Sequence, residues 1–138
     1  MTERVAEVEV QVQFYDVDPM QVVWHGHYAR FLEHARCALL GGIGYGYDEM
    51  KASGYSWPVI DLHIRYARPA VFGQRLRVRA ELVEWENRMV IDYLISDAET
   101  GQRLTKASTT QVAVDLATQE IRFVSPAILF EKLGLRAE

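Results

Sequence analysis

Residues 28–42 read YARFLEHARCALLGG. Tyr28, Phe31, Leu32, Ala35, Ala38 and Leu39 recur at i, i+3, i+4 and i+7 spacing, while Arg30, Glu33, His34 and Cys37 fall elsewhere on the wheel. That spacing predicts an amphipathic helix with one face against a core, and Gly41-Gly42 supplies its stop. Cys37 lies off the stripe without a nucleophile motif around it and reads as a small packed residue. Glu33, at the border of the stripe, reads as a solvated or capping carboxylate.

Upstream of this helix, Val8, Val10, Val12 and Phe14 alternate with Glu7, Glu9, Gln11 and Gln13, the period-two pattern of a half-buried strand over 8–14. Tyr15 to Trp24 carries Asp16, Asp18 and Pro19 in an order that favours a loop. Downstream, Tyr47 to Ala52 suits a short helix closed by Gly54. Strand patterns follow at Val59 to Tyr66, Leu76 to Leu82, Met89 to Ile95, Leu104 to Asp115 and Ile121 to Val124. Glu86-Asn87 and Asp97 to Gly101 are the turns between them. Ser125-Pro126 offers an N-cap and a first-turn proline for a last helix that stops at Gly134. One long helix followed by clustered strands predicts an α+β fold, an antiparallel sheet with the helix on one face. A doubly wound nucleotide-binding fold is set aside, because no helices separate the strands and no Gly-rich phosphate loop occurs.

The chain has 138 residues without an internal repeat or linker, so a single domain over 1–138 is expected. Lys+Arg 15 against Asp+Glu 19 gives a formal charge of −4, which argues against nucleic-acid binding. One Cys cannot form an internal disulfide. The opening MTERVAEVE has no apolar signal region, and no apolar run is long enough to span a bilayer. The expectation is a soluble cytoplasmic protein without membrane insertion.

Chemistry concentrates in FYDVDPMQVVWHGHYARFLE, residues 14–33, where two carboxylates, two histidines and a helix start converge. Unpaired N–H groups and the positive dipole end of a helix can hold a developing oxyanion. A nearby Asp can serve as nucleophile or as general base to water. Turn and capping chemistry is the plainer account of Asp-x-Asp-Pro. Asp16, Asp18, His25 and His27 could ligate a metal, but no recognised ligand spacing completes the set, so no metal is expected. Residue patterns alone reach as far as the expectation of an acyl-transfer or hydrolytic site.

The same segment resembles the signature of the 4-hydroxybenzoyl-CoA thioesterase family and its relatives, the thioesterases associated with the Tol-Pal system. The resemblance rests on Asp16-x-Asp18-Pro19, Val22-Val23-Trp24-His25, Tyr28 and Phe31-x-Glu33, with Tyr66-x-x-Pro69-Ala70 and Gly73 further on. It implies a hotdog fold, a curved antiparallel sheet wrapped around one long central helix, and an acyl-CoA thioesterase active as a homodimer or homotetramer with sites at the subunit interface. Carried over by position, Asp18 matches the catalytic carboxylate and His25 a position that is often His. The backbone near His25 and Gly26 would polarise the thioester carbonyl. The substrate would be an acyl or aroyl thioester of CoA or acyl-carrier protein, and CoA enters as substrate, so no cofactor is expected.

Arg88, Arg65 and Arg68 are candidates for the nucleotide phosphates, and Val59 and Ile60 for the acyl pocket between sheet and helix. Arg75, Arg77 and Arg79 share one strand face toward solvent or a neighbouring subunit. Two positions depart from the family. Phe14 stands where many relatives carry Tyr, with Tyr15 expected on the opposite strand face, and Pro19-Met20-Gln21 replaces a glycine-containing step after the aspartate. The competing functions are a hotdog hydroxyacyl-thioester dehydratase and a non-catalytic acyl-thioester-binding module.

Overall fold

The computed structural model describes residues 4–135; residues 1–3 and 136–138, the ends of the expected domain, lie outside them. Strand β1 (Val5–Gln11) leads through a loop into helix α1 (Tyr28–Gly42), then α2 (Tyr47–Ala52) and β2 (Tyr55–Ser56). Strands β3 (Val59–Tyr66), β4 (Arg75–Glu84), β5 (Met89–Asp97), β6 (Arg103–Gln111), β7 (Ala113–Asp115) and β8 (Ile121–Arg122) follow, and α3 (Ala127–Lys132) closes the order. Five strands form one antiparallel sheet in the order β1-β4-β5-β6-β3, and β2, β7 and β8 form a smaller one. The expected α+β arrangement is present, with α1 packed across the inner face of the sheet on β1 and β4.

Alternation builds that inner face. Leu76, Val78, Ala80 and Leu82 of β4 and Met89, Ile91, Tyr93 and Ile95 of β5 are buried at every second position. They meet Phe31, Leu32, Ala35 and Leu39 of α1 in one core. At the edges of the helix stripe the pattern shifts. Ala38 is exposed, whereas Leu40 is buried together with Met50 of α2. Cys37 is exposed too, not packed, because it lines an open cavity with Leu40 and Met50 and does not face the sheet.

Four strand and cap expectations need correction. The first strand ends at Gln11, not Phe14, because residues 14–16 coil into a single 3-10 turn closed by reciprocal Gln13 and Asp16 contacts. Phe14 and Tyr15 are therefore both exposed, and strand alternation does not govern Tyr15. The expected strand 104–115 breaks at Val112, where the chain passes from the large sheet to the small one. The strand expected over 121–124 covers Ile121–Arg122 alone, leaving Phe123 and Val124 exposed. Pro126, not Ser125, stands at the N-cap of α3, because its backbone is still extended (φ −66°, ψ 153°), and the Ser125 hydroxyl caps no N–H among the described residues.

The β5–β6 turn shows how a short polar sequence fixes a hairpin. The Asp97 carboxylate accepts from Glu99 N and Thr100 N at 2.8 Å each and from Gln74 Nε2 at 2.7 Å, and Gly101 takes a φ of 76°. The Gln74 side chain, then the Thr100 and Glu99 amides, lower the Asp97 pKa from 3.8 to about 2. A depressed carboxylate stabilises the fold fully above its unfolded pKa and ceases to do so as pH falls through the folded value. Wild type is thus expected to lose this contribution between pH 3.8 and about 2. Asp97→Asn should remove that part of the acid unfolding curve, as followed by circular dichroism; superimposable curves would refute it.

Candidate active site

The segment between β1 and α1 folds back on itself as a short ribbon. Trp24 N donates to Asp16 O at 3.0 Å, Val17 bridges Val23, and Asp18 N donates to Val22 O at 2.9 Å. The ribbon is tied to the chain beyond β3 by Val23 N to Ala70 O at 2.9 Å and by the Val22 to Val71 bridge. This accounts for Val22-Val23 and Pro69-Ala70 together, since one pair supplies the edge on which the other docks.

Asp18 sits near the ribbon tip and is half-buried. Its Oδ1 accepts from Met20 N at 2.8 Å, and its carbonyl accepts from Gln21 N at 2.9 Å, an Asx turn set within a tight turn. Oδ2 takes no hydrogen bond among the described residues, so one carboxylate oxygen orders the loop while the other stays free for chemistry. The turn requires a φ of 66° at Gln21. A non-glycine residue there costs about 1 kcal/mol, so the departure from a glycine-containing step leaves local strain beside Asp18.

Past the ribbon base, His25–His27 forms a 3-10 turn that runs directly into α1. His27 N donates to Trp24 O at 2.9 Å, whereas the His25 and Gly26 N–H groups donate to no carbonyl among the described residues. They are the free donors of a helix start. The His25 ring is exposed and packs on Trp24, with centroids 5.0 Å apart. A Cβ at position 26 would lie 2.3 Å from the Trp24 ring, so a larger residue there displaces that half-exposed ring.

Beneath the loop lies the other carboxylate of the Asp-x-Asp pattern. Asp16 is fully buried, accepts from Gln13 N at 2.8 Å and is ion-paired to Arg30 of α1. Arg30 in turn lies over the Tyr15 and Phe31 rings, 5.5 and 5.2 Å from their centroids. The Asp-x-Asp pattern therefore divides its labour, one carboxylate anchoring the loop to the helix and the other presenting a free oxygen.

The remaining candidates are spread more widely. Val59 and Ile60 are exposed on edge strand β3. Trp57 and Pro58, immediately before them, line a cavity of about 610 Å³ together with Leu40, Met50, Tyr55 and Gln111, bounded by α1, α2 and β2. Gln111 Nε2 holds Trp57 O at 2.8 Å at its floor. Arg65 lines an open depression of about 450 Å³ on the outer sheet face with His63, Arg79, Arg103 and Lys106, residues scattered in sequence, and with Asp92. Arg88 is paired with Glu84 at 3.2 Å in the β4–β5 turn, and Arg68 follows β3, its N–H on Leu104 O at 2.9 Å. Arg65 and Arg88 do not share a cluster, because Arg65 registers through Lys106 with Leu94, about 20 Å along the strands from Arg88. Arg77 and Arg79 are engaged by Glu7 of β1, and Arg75 by Glu99. No three His, Cys, Asp or Glu side chains among the described residues converge to hold a metal, and none of the described helices is long and apolar enough to cross a membrane.

A helix cradled by a curved antiparallel sheet, with a carboxylate loop feeding the helix start, defines a hotdog-type enzyme scaffold. The Thioesterase-like superfamily matches residues 12–132, and the chain belongs to it. It is 32% identical to a protein from Synechocystis sp. named "Putative esterase sll0410", across 96% of this chain and 81% of that one. It is 29% identical to the long-chain acyl-CoA thioesterase FadM of Escherichia coli, across 83% of this chain and 86% of that one. The crystal structure of Slr0204, a 1,4-dihydroxy-2-naphthoyl-CoA thioesterase from Synechocystis, shares the fold with a TM-score of 0.83 at 24% identity, over 94% of this chain and 96% of that one.

Proposed function

We infer that this chain is an acyl-CoA thioesterase, hydrolysing an acyl or aroyl thioester of CoA or acyl-carrier protein to free acid and thiol. The observation that carries the reading is local. A loop that orders Asp18 through one carboxylate oxygen and leaves the other free runs directly into a helix start with two unused N–H donors. Superfamily membership supplies the reaction class, and FadM is named for the same chemistry. The finer placement, beside the 4-hydroxybenzoyl-CoA and Tol-Pal-associated thioesterases, rests on the motif from Asp16 to Glu33.

In this mechanism Asp18 attacks the thioester carbonyl carbon or takes a proton from the water that does so. Carbonyl charge then develops toward the His25 and Gly26 N–H groups and the C–S bond breaks. On the base route the proton that Asp18 took from water passes to the departing thiolate. On the nucleophile route water cleaves the mixed anhydride left on Asp18, returning its carboxylate and the free acid while the released proton goes to the thiolate. His25 completes the proposed catalytic pair. No cofactor enters the scheme; CoA is part of the substrate.

Edge strand β3 exposes Val59, Ile60, Leu62 and Tyr66, an apolar edge of the kind that folded proteins cover. Two copies joined through β3 would cover it and give the homodimer, or a tetramer of two such pairs, with sites at the subunit boundary. The acyl group is assigned to the cavity under Trp57, not to Val59 and Ile60 themselves, and Arg65 to the CoA phosphates. Release of thiol from a panel of short, long, branched and aromatic acyl-CoAs tests the reading. Narrowing the cavity with Met50→Trp is expected to lower kcat/KM for long acyl chains about tenfold relative to short ones. Equal effects on all chain lengths would remove the cavity from the acyl path.

A further inference from the structure

We infer that Tyr66 is a positioning residue for the oxyanion site, acting through the peptide unit that joins His25 to Gly26. The inference rests on the thioesterase reading above and names a residue outside the proposed catalytic pair.

Tyr66 ends strand β3, where it registers with Thr105 of β6. Its hydroxyl donates to His25 O at 2.9 Å, 41 residues away in sequence. Its ring is held edge-on by Tyr28, with centroids 5.0 Å apart, and meets the His25 imidazole at 6.5 Å. Tyr28 is in turn buried, its hydroxyl accepting from Ala70 N at 3.2 Å. The aromatic pair thus rests on the sheet and on the Pro69-Ala70 segment, and it carries one hydroxyl to one carbonyl at the start of the helix.

That carbonyl matters because of its other end. The His25–Gly26 peptide is trans, as are all the described peptide bonds, and in a planar trans unit the C=O and N–H point in opposite directions. Fixing the carbonyl on the Tyr66 side fixes the Gly26 N–H on the other. Donation into the carbonyl also polarises the unit, making the N–H a stronger donor. The Trp24 ring also lies close by, 2.3 Å from where a Gly26 Cβ would stand, and packs on the His25 imidazole. Tyr66 reaches neither the thioester nor Asp18 in this scheme; its effect passes through the amide.

Tyr66→Phe keeps the ring and removes only the hydroxyl. With the acyl-CoA hydrolysed fastest by wild type, kcat is expected to fall about tenfold, a fraction of the hundredfold or more lost with an oxyanion donor itself. KM should change less than about threefold and Tm by less than about 5 °C, because a single hydrogen bond contributes about 1 kcal/mol. A spectroscopic readout separates positioning from bulk structure. With the same substrate, carbonyl-labelled with carbon-13 and bound to Asp18→Asn, the thioester C=O stretch should lie below its frequency in free solution. In Asp18→Asn/Tyr66→Phe it should move back toward the free value. Wild-type kcat in Tyr66→Phe, or an unchanged carbonyl stretch, overturns the inference while an inactive Asp18→Asn leaves the thioesterase reading standing. Full activity of Asp18→Asn overturns the site reading and the inference with it.

Discussion

Asp18→Asn is expected to lower kcat for acyl-CoA hydrolysis by about three orders of magnitude, the scale on which a removed base or nucleophile is felt. The substitution is chosen for what it preserves. The Asn carbonyl oxygen can still accept from Met20 N, and the backbone bonds from Asp18 N to Val22 O and from Gln21 N to Asp18 O do not involve the side chain. The turn therefore survives, and the loss isolates the free Oδ2 and its charge. Steady-state thiol release gives kcat, and a thermal melt within about 2 °C of wild type certifies the fold. Wild-type kcat in a folded Asp18→Asn protein would remove Asp18 from the mechanism, whether as nucleophile or as base.

The second large effect concerns stability. Arg30→Met is expected to destabilise the protein by about 2–3 kcal/mol, a loss of roughly 10 °C in Tm. The reason lies with its partner. Asp16 is fully buried, and without the guanidinium its carboxylate keeps only the Gln13 N–H. Stranding a buried charge costs about 3–5 kcal/mol; the lower figure applies because the Arg30 side chain is 40% exposed and water can follow the vacated path. Methionine keeps an apolar stem of similar length but also loses the guanidinium over the Tyr15 and Phe31 rings, a smaller loss of about 0.5–1 kcal/mol at a part-exposed site within the same figure. Urea unfolding measures the difference. A change below about 0.5 kcal/mol would mean that the pair does not anchor the loop to α1.

The sequence and the structure agree most closely where periodicity is long. The helix 28–42 and the buried alternation of β4 and β5 were legible because each repeats its apolar signal over several turns or pairs, enough to outweigh single exceptions. Legibility fails where tertiary pairing decides. Val112 looks like any other strand residue, and only the existence of a second sheet makes it a break. Phe14 continues an alternation perfectly well, yet the 3-10 turn closed by Gln13 and Asp16 captures it. Leu40 is buried in one core cluster with Met50 of α2 while Ala38 is exposed, a tertiary fact absent from the helix's own pattern.

The candidate site divides along the same line. Its location was legible, since carboxylates, histidines and a helix start are contiguous in residues 14–33. The division of roles between Asp16 and Asp18 was not, because two carboxylates so close in sequence carry the same signal until burial separates them. Arg30 was visible only as a polar residue off the helix stripe, and nothing local marks it as the partner of Asp16. Tyr66 entered as part of the Tyr66-x-x-Pro69 pattern, but its bond to His25 O spans 41 residues and exists only in the folded chain. The arginines show the reverse case. Arg65 and Arg88 look equivalent in sequence, and strand register sets them far apart.

Everything proposed for this loop and helix start depends on their cleaving a thioester bond. The decisive experiment is mass spectrometry of the products formed by wild-type protein from a panel of acyl-CoAs, with Asp18→Asn in parallel. Free carboxylic acid and free CoA are expected in equal amounts from at least one substrate, with Asp18→Asn forming neither above the uncatalysed rate. An enoyl thioester in place of free CoA would assign the fold to dehydration. Acyl-CoA bound tightly and recovered intact would make it a binding module. Either outcome is incompatible with a thioesterase.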